Sequence, residues 1–149
     1  MTESDREILT CATLFAASVH RDHLRIIYGP QNTGFESEEQ LQYRGMTLRM
    51  VRERLSGLLP SGVSDSLIMC ILYLAAHHDP KGKAPANRDP SPFTPPFTDL
   101  QSLDAYGSNP PHQSHWRMVH QLVQLRGGIQ TLKLYRLGWL LSLYVGRLK

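Results

Sequence analysis

The sequence predicts an all-α protein: an irregular bundle of about five helices interrupted by a long proline-rich loop. Three observations carry this. Apolar residues recur at spacings of three and four in successive stretches, and residues that start or stop helices flank those stretches. No stretch alternates with the period of two that a half-buried strand needs. At 149 residues the chain is one helical domain, 1–149, broken only by the loop.

The first helix is expected at about residues 5–27. Ser4 and Glu7 read as a capping box, and Ile8, Ala12, Phe15 and Val19 fall on one face behind it. Gly29-Pro30 ends it. Ser37 and Gln40 form a second capping box. Leu41, Gly45 or Met46, Leu48, Val51 and Leu55 follow at helical spacing, opposite Arg44, Arg49, Arg52, Glu53 and Arg54. This helix spans about 38–57, with Gly57 as its stop. After a turn at residues 60–63, Ser64 or Asp65 caps a third helix. Ile68, Ile71, Leu72, Leu74 and Ala75 make it apolar over most of its circumference, so it should be the most buried element, ending near His78.

Eight of the ten prolines lie in residues 80–111. Proline lacks a donor and breaks helices, so this stretch reads as an insertion between helices, with Phe93 and Phe97 able to pin it to the surface. As a proline-rich segment it could also dock in an aromatic groove, though a linker is the simpler reading. Helical signal returns at 112–126, where Trp116, Val119, Leu122 and Val123 mark the buried side. Gly127-Gly128 closes this helix, with one glycine free to turn left-handed. A last leucine-rich stretch, 129–145, carries Trp139 and Tyr144 and is expected to break or bend near Gly138. It is apolar on too many sides for a solvated helix.

Charge is unevenly placed. The formal net charge is +3, yet all thirteen acids lie at or before Asp104, leaving residues 105–149 with six Lys/Arg and no acid. Such a segment is either a footprint for nucleic acid or an acidic partner, or a basic face that neutralises the acidic first part within the fold. The second reading is the more economical. The N-terminus shows no secretory pattern. Residues 137–145 are too short to span a membrane, which needs about 20 apolar residues. Cys11 and Cys70 sit among apolar residues and read as reduced core thiols, which fits an intracellular setting.

Catalytic signatures are missing. There is no Gly-x-Ser-x-Gly elbow, no phosphate-cradling glycine loop and no His-Glu-x-x-His. The seven histidines fall in groups: His20 with His23, His77-His78 beside Asp79, and His112, His115 and His120. Zinc needs three or four converging ligands, and surface or helix-capping roles explain each group better. Arg126-Gly127-Gly128 matches an RNA-binding tripeptide once, where such segments act as repeats, so a helix stop explains it better.

Two segments carry a family resemblance. Residues 63–76 open on Val-Ser-Asp-Ser and run into small apolar residues. Residues 115–129 read His-x-x-x-(apolar)-x-x-(apolar)-(apolar)-x-x-Arg-Gly-Gly-(apolar), on His115, Val119, Leu122, Val123, Arg126, Gly127, Gly128 and Ile129. Together they resemble the fungal-specific transcription factor domain, the helical regulatory region downstream of binuclear zinc clusters. Phe15, Ala16, Ala17, His20 and Asp22, and the Arg-rich helix to Leu55, also fit the helices that precede these in the family. The zinc cluster is absent, the proline-rich loop is longer than the family's, and family members continue with further helices, so the resemblance implies a truncated piece of that region, a degenerate copy or a short independent regulator.

The resemblance implies transcriptional regulation in the nucleus through protein contacts, with protein partners or a homodimer, and nucleic acid engaged only indirectly. No cofactor, no metal and no catalytic residue is expected; a small-molecule effector is left open. Ser64, Asp65, His115, Arg126, Gly127 and Gly128 are the motif residues, with Arg126 a candidate partner for Asp65 or Asp22. Two alternatives stand beside this. One is nucleic-acid binding through the basic residues 105–149. The other is a small helical metal-dependent hydrolase using His77, His78, Asp79 and His115.

Overall fold

The computed structural model describes residues 2–28, 36–57, 62–77 and 111–146. The described elements are helical: α1 (Glu3–Tyr28), α2 (Glu38–Ser56), α3 (Asp65–Ala76), α4 (Gln113–Leu125), a single 3-10 turn (Ile129–Thr131) and α5 (Leu137–Gly146), with no strand among the described residues. Side-chain links fix the directions. Asp22 meets Ser37 while Asp5 meets Arg54, so α1 and α2 run antiparallel. The Cys70 thiol reaches the Ile8 carbonyl in the middle of α3, and the Phe15 and His77 rings meet at its C-terminal end, so α1 and α3 run parallel. Arg126 meets Val63 and His112 meets Ala75, so α4 returns antiparallel to α3.

The α1 face behaves as its spacing predicts. Ile8, Ala12, Phe15 and Val19 are all buried, and each removes its apolar surface from water at a gain of up to about 3 kcal/mol for the larger side chains. As expected, α3 is the central element, with Leu67, Ile68, Cys70, Ile71, Leu72, Leu74 and Ala75 buried. It packs against α1, α2 and α4. Trp116, Val119, Leu122 and Val123 close the core from α4, and Leu137 and Leu141 from α5. Cys11 and Cys70 are free thiols, and burial pushes the Cys70 thiol up to about 12.

Three expectations are corrected. First, α1 starts at Glu3 because its capping box is Thr2 with Asp5, not Ser4 with Glu7. The Asp5 amide donates to Thr2 Oγ1 (3.1 Å), and the Thr2 amide donates back to Asp5 Oδ2 (3.0 Å). Ser4 instead accepts from Arg54.

Second, α2 turns a different face inward. Gln40, Thr47 and Val51 are its buried residues, with Tyr43, Met50 and Leu55 packed beside them, whereas Leu41 and Leu48 point out. Links at both ends of α2, to Asp22 and to Asp5, fix its rotation. Thr47 can face the core because its hydroxyl donates to the Tyr43 carbonyl (2.8 Å).

Third, of the two forms expected for residues 129–145 the structure shows the break and not the bend, and places it before Gly138. The chain leaves the 3-10 turn in extended backbone and α5 starts at Leu137, so the break precedes Gly138, which lies inside α5. Arg136, at φ 66°, is the only non-glycine residue with positive φ among those described. The proline-rich insertion up to Pro110, with Phe93 and Phe97, lies outside the described residues, as do His78 and Asp79.

Candidate functional site

The chemistry of the molecule gathers where the start of α3 meets the end of α4. Ser64 has extended backbone (φ −88°, ψ 152°) and its hydroxyl accepts the Leu67 amide (3.2 Å), so it is the N-cap of α3. That frees Asp65 from capping its own helix. Its Oδ2 accepts the backbone amides of Lys133 and Leu134, both at 2.7 Å, and its Oδ1 lies 2.8 Å from Arg126 Nη2. Arg126 also donates through Nη1 to the Val63 carbonyl. Of the two acids considered for Arg126, the structure selects Asp65. Both side chains are mostly removed from water, where breaking an ion pair is costly.

Gly127 and Gly128 deliver Arg126 to this point. The Gly127 amide donates to Gln124 O and the Gly128 amide to Val123 O (2.9 Å each), the paired closure of a Schellman turn. Both glycines have positive φ (102° and 101°), where a Cβ is strained, so both are required and not one. The turn leads into the C-terminal arm, residues 129–139, which crosses the N-terminus of α3, where Asp65 ties down the amides of Lys133 and Leu134.

Behind the ion pair lies a half-open cavity of about 330 Å³, lined by Asp5, Ser64, Asp65, Ser66, Arg126, Lys133 and Leu134. Asp5 enters from α1. Burial alone would raise its carboxyl, but hydrogen bonds from Thr2 and Ser64 and the charge of Arg54 outweigh this and hold it below the usual range. Sequence reasoning did not mark Asp5 or the two amides of the arm. The Thr2-x-x-Asp5 spacing was the available signal for Asp5.

Asp22 occupies a second node at the other end of α1. It accepts the Ser37 amide (3.0 Å) and hydroxyl (2.6 Å), and Arg21 and Arg25 each stand 3.5 Å from it. Burial would raise this carboxyl too; the Ser37 hydrogen bonds and Arg21 outweigh it and lower it. Ser37 caps α2 by accepting the Gln40 amide (3.2 Å), but the reciprocal contact expected from Gln40 is made by Asp22.

His115 lies apart from the other motif residues. It is in the first turn of α4, its Nδ1 3.3 Å from the Leu74 carbonyl and its ring against His112. His77 ends α3 against Phe15 and Tyr73. Burial, helped by His23 and His20, pushes its pKa down to about 4. No three His, Cys, Asp or Glu side chains among the described residues converge as metal ligands. No described helix is long and apolar enough to cross a membrane.

Beyond the ion pair, the arm exposes apolar surface. Tyr135 is 79% and Trp139 62% exposed, and Leu125 and Ile129 are exposed nearby. Lys133 and Arg136 are exposed among them, and the Arg136 guanidinium lies 4.9 Å from the Tyr135 ring centre. No family model, curated protein or solved structure matches the chain.

Proposed function

We propose that the chain is a regulatory interaction module of the transcription-regulator type, which acts by protein contact through residues 125–139. The observation that carries this reading is a large exposed aromatic surface on a backbone that Asp65 and Arg126 hold in place. Tyr and Trp on a fixed backbone give contact area at little entropic cost, which is why they anchor interfaces. Lys133 and Arg136 border them, and residues 105–149 carry no acid. The partner that fits is an acidic amphipathic protein segment whose apolar residues fall on one helical face. A nuclear location and a role in transcription belong to this reading through the motif at Ser64, Asp65, His115, Arg126, Gly127 and Gly128.

Trp139 supplies the test, by fluorescence. An acidic amphipathic peptide with apolar residues at helical spacing should quench or blue-shift the indole emission, and binding should weaken with salt. Tyr135→Ala should weaken binding at least about tenfold, the effect of losing an interface anchor. No binding of such peptides at low salt, or equal binding by the Tyr135→Ala variant, refutes the reading. Tighter binding of duplex or single-stranded nucleic acid, with a steep salt slope, would favour the nucleic-acid alternative instead.

A further inference from the structure

We propose that two copies of this chain associate through the outward faces of α2, antiparallel, crossing at Gly45. Gly45 is a residue the described fold does not explain. Gly45 sits in mid-helix, where glycine is unfavourable, and a Cβ there would meet nothing within 4 Å. Nothing in the described fold requires glycine at this position. A second backbone approaching closely from outside would require it.

The surroundings of Gly45 suit that approach. At 100° per residue, Glu38, Leu41, Gly45, Leu48 and Arg52 share an arc of about 80°, turned about 120° from the buried Gln40, Thr47 and Val51. Leu41 is 49% and Leu48 37% exposed, so the glycine lies between two exposed leucines. The stripe is acidic at one end and basic at the other, and neither Glu38 nor Arg52 makes an ion pair among the described residues.

This charge order selects the partner. In an antiparallel pair crossing at Gly45, Glu38 and Arg52 of the second copy both lie about 10 Å from the crossing on the same side, and so face each other. Leu41 lies about 6 Å from it and Leu48 of the second copy about 4.5 Å, so the leucines interleave. Two-fold symmetry makes each contact twice, which is the self-complementarity of an isologous interface. A parallel pair would oppose like charges. One helix pair buries less than a standard interface, so the dimer should be weak and concentration-dependent.

Sedimentation equilibrium of the full chain tests this. The wild type should show a monomer–dimer equilibrium in the micromolar range. Gly45→Leu should raise Kd at least about tenfold by blocking close approach, yet should not lower Tm, since leucine favours helix and the space is open. Glu38→Arg and Arg52→Glu should each raise Kd several-fold, and the double variant should restore it. A chain that stays monomeric to about 1 mM overturns the proposal, as does an unchanged Kd for Gly45→Leu or a double variant no better than the singles. Loss of self-association in Trp139→Ala, with Gly45→Leu unaffected, would place the dimer contact on the C-terminal arm and also overturn it. Peptide binding at the arm is read separately by Trp139 emission, so failure here leaves that reading standing, and the converse holds.

Discussion

The two ends of α1 grip the helices that follow with the same chemistry but join segments at different distances along the chain. At each end a buried aspartate meets the hydroxyl of a serine that caps the next helix: Asp22 with Ser37 on α2, and Asp5 with Ser64 on α3. At each end an arginine stands beside the carboxylate. The Asp22 end joins segments fifteen residues apart, and its acid is 4% exposed. The Asp5 end gathers segments from α1, α3, α4 and the arm, and a cavity of about 330 Å³ remains between them. A cap gripped by an acid can therefore be a local clamp or the floor of a cleft. The third partner decides: Arg126 and the amides of residues 133 and 134 come from far along the chain and do not fill the space.

Asp65→Ala should break the open end with the largest effect. It leaves the Arg126 guanidinium without its acid and removes the acceptor of two amides. The expected loss is about 3–5 kcal/mol in urea unfolding, the range for breaking one partner of a buried pair. Hydrogen exchange should rise first in residues 133–141, while α1 and α2 stay protected until global unfolding. Equal loosening of α2 would show that the two ends are one cooperative unit and not two.

Acid should act on the Asp22 end first. His77 sits on that side of α1, near His20 and His23, with its pKa down at about 4 against an ordinary 6.5. The unfolded chain therefore binds a proton between pH 6.5 and 4 that the folded chain refuses. Stability is full above 6.5 and falls as pH drops through that window, by at most about 3 kcal/mol. Asp5 and Asp22 are lowered from 3.8, so their contribution is present above 3.8 and is lost only below it. Urea midpoints of wild type and His77→Gln across pH 4 to 7 check this. The variant should be flatter between 6.5 and 4 and parallel to wild type below.

What could be read from the sequence divides along a physical line. Ile8, Ala12, Phe15 and Val19 were legible because one helix face is set by local spacing, and Gly127-Gly128 because the turn they close is local. The Arg126–Asp65 pair was legible as one of two options, since Arg126 needed an acid and few were placed to reach it. The rotation of α2 was not legible. Its leucines and its Thr47-Val51 face both have helical spacing, and only anchors from α1 choose between them. Nor was the start of α5, because the acceptor that takes the amides of residues 133 and 134 belongs to α3.

The smallest predicted effect compares the two caps directly. Ser37→Ala and Ser64→Ala each remove the hydroxyl that accepts an amide in the first turn, a loss of about 1 kcal/mol. The rest should differ. Asp22 loses its shortest hydrogen bond (2.6 Å) in a site 4% exposed, so Ser37→Ala should cost about 2 kcal/mol, and the Asp22 pKa should rise. Asp5 keeps Thr2 and Arg54 and borders a cavity with room for water, so Ser64→Ala should stay near about 1 kcal/mol. Carboxyl titration by NMR with urea unfolding of both variants measures the gap. If Ser64→Ala costs as much as Ser37→Ala, solvent does not compensate at the open end, and the contrast between the ends of α1 is one of sequence distance alone.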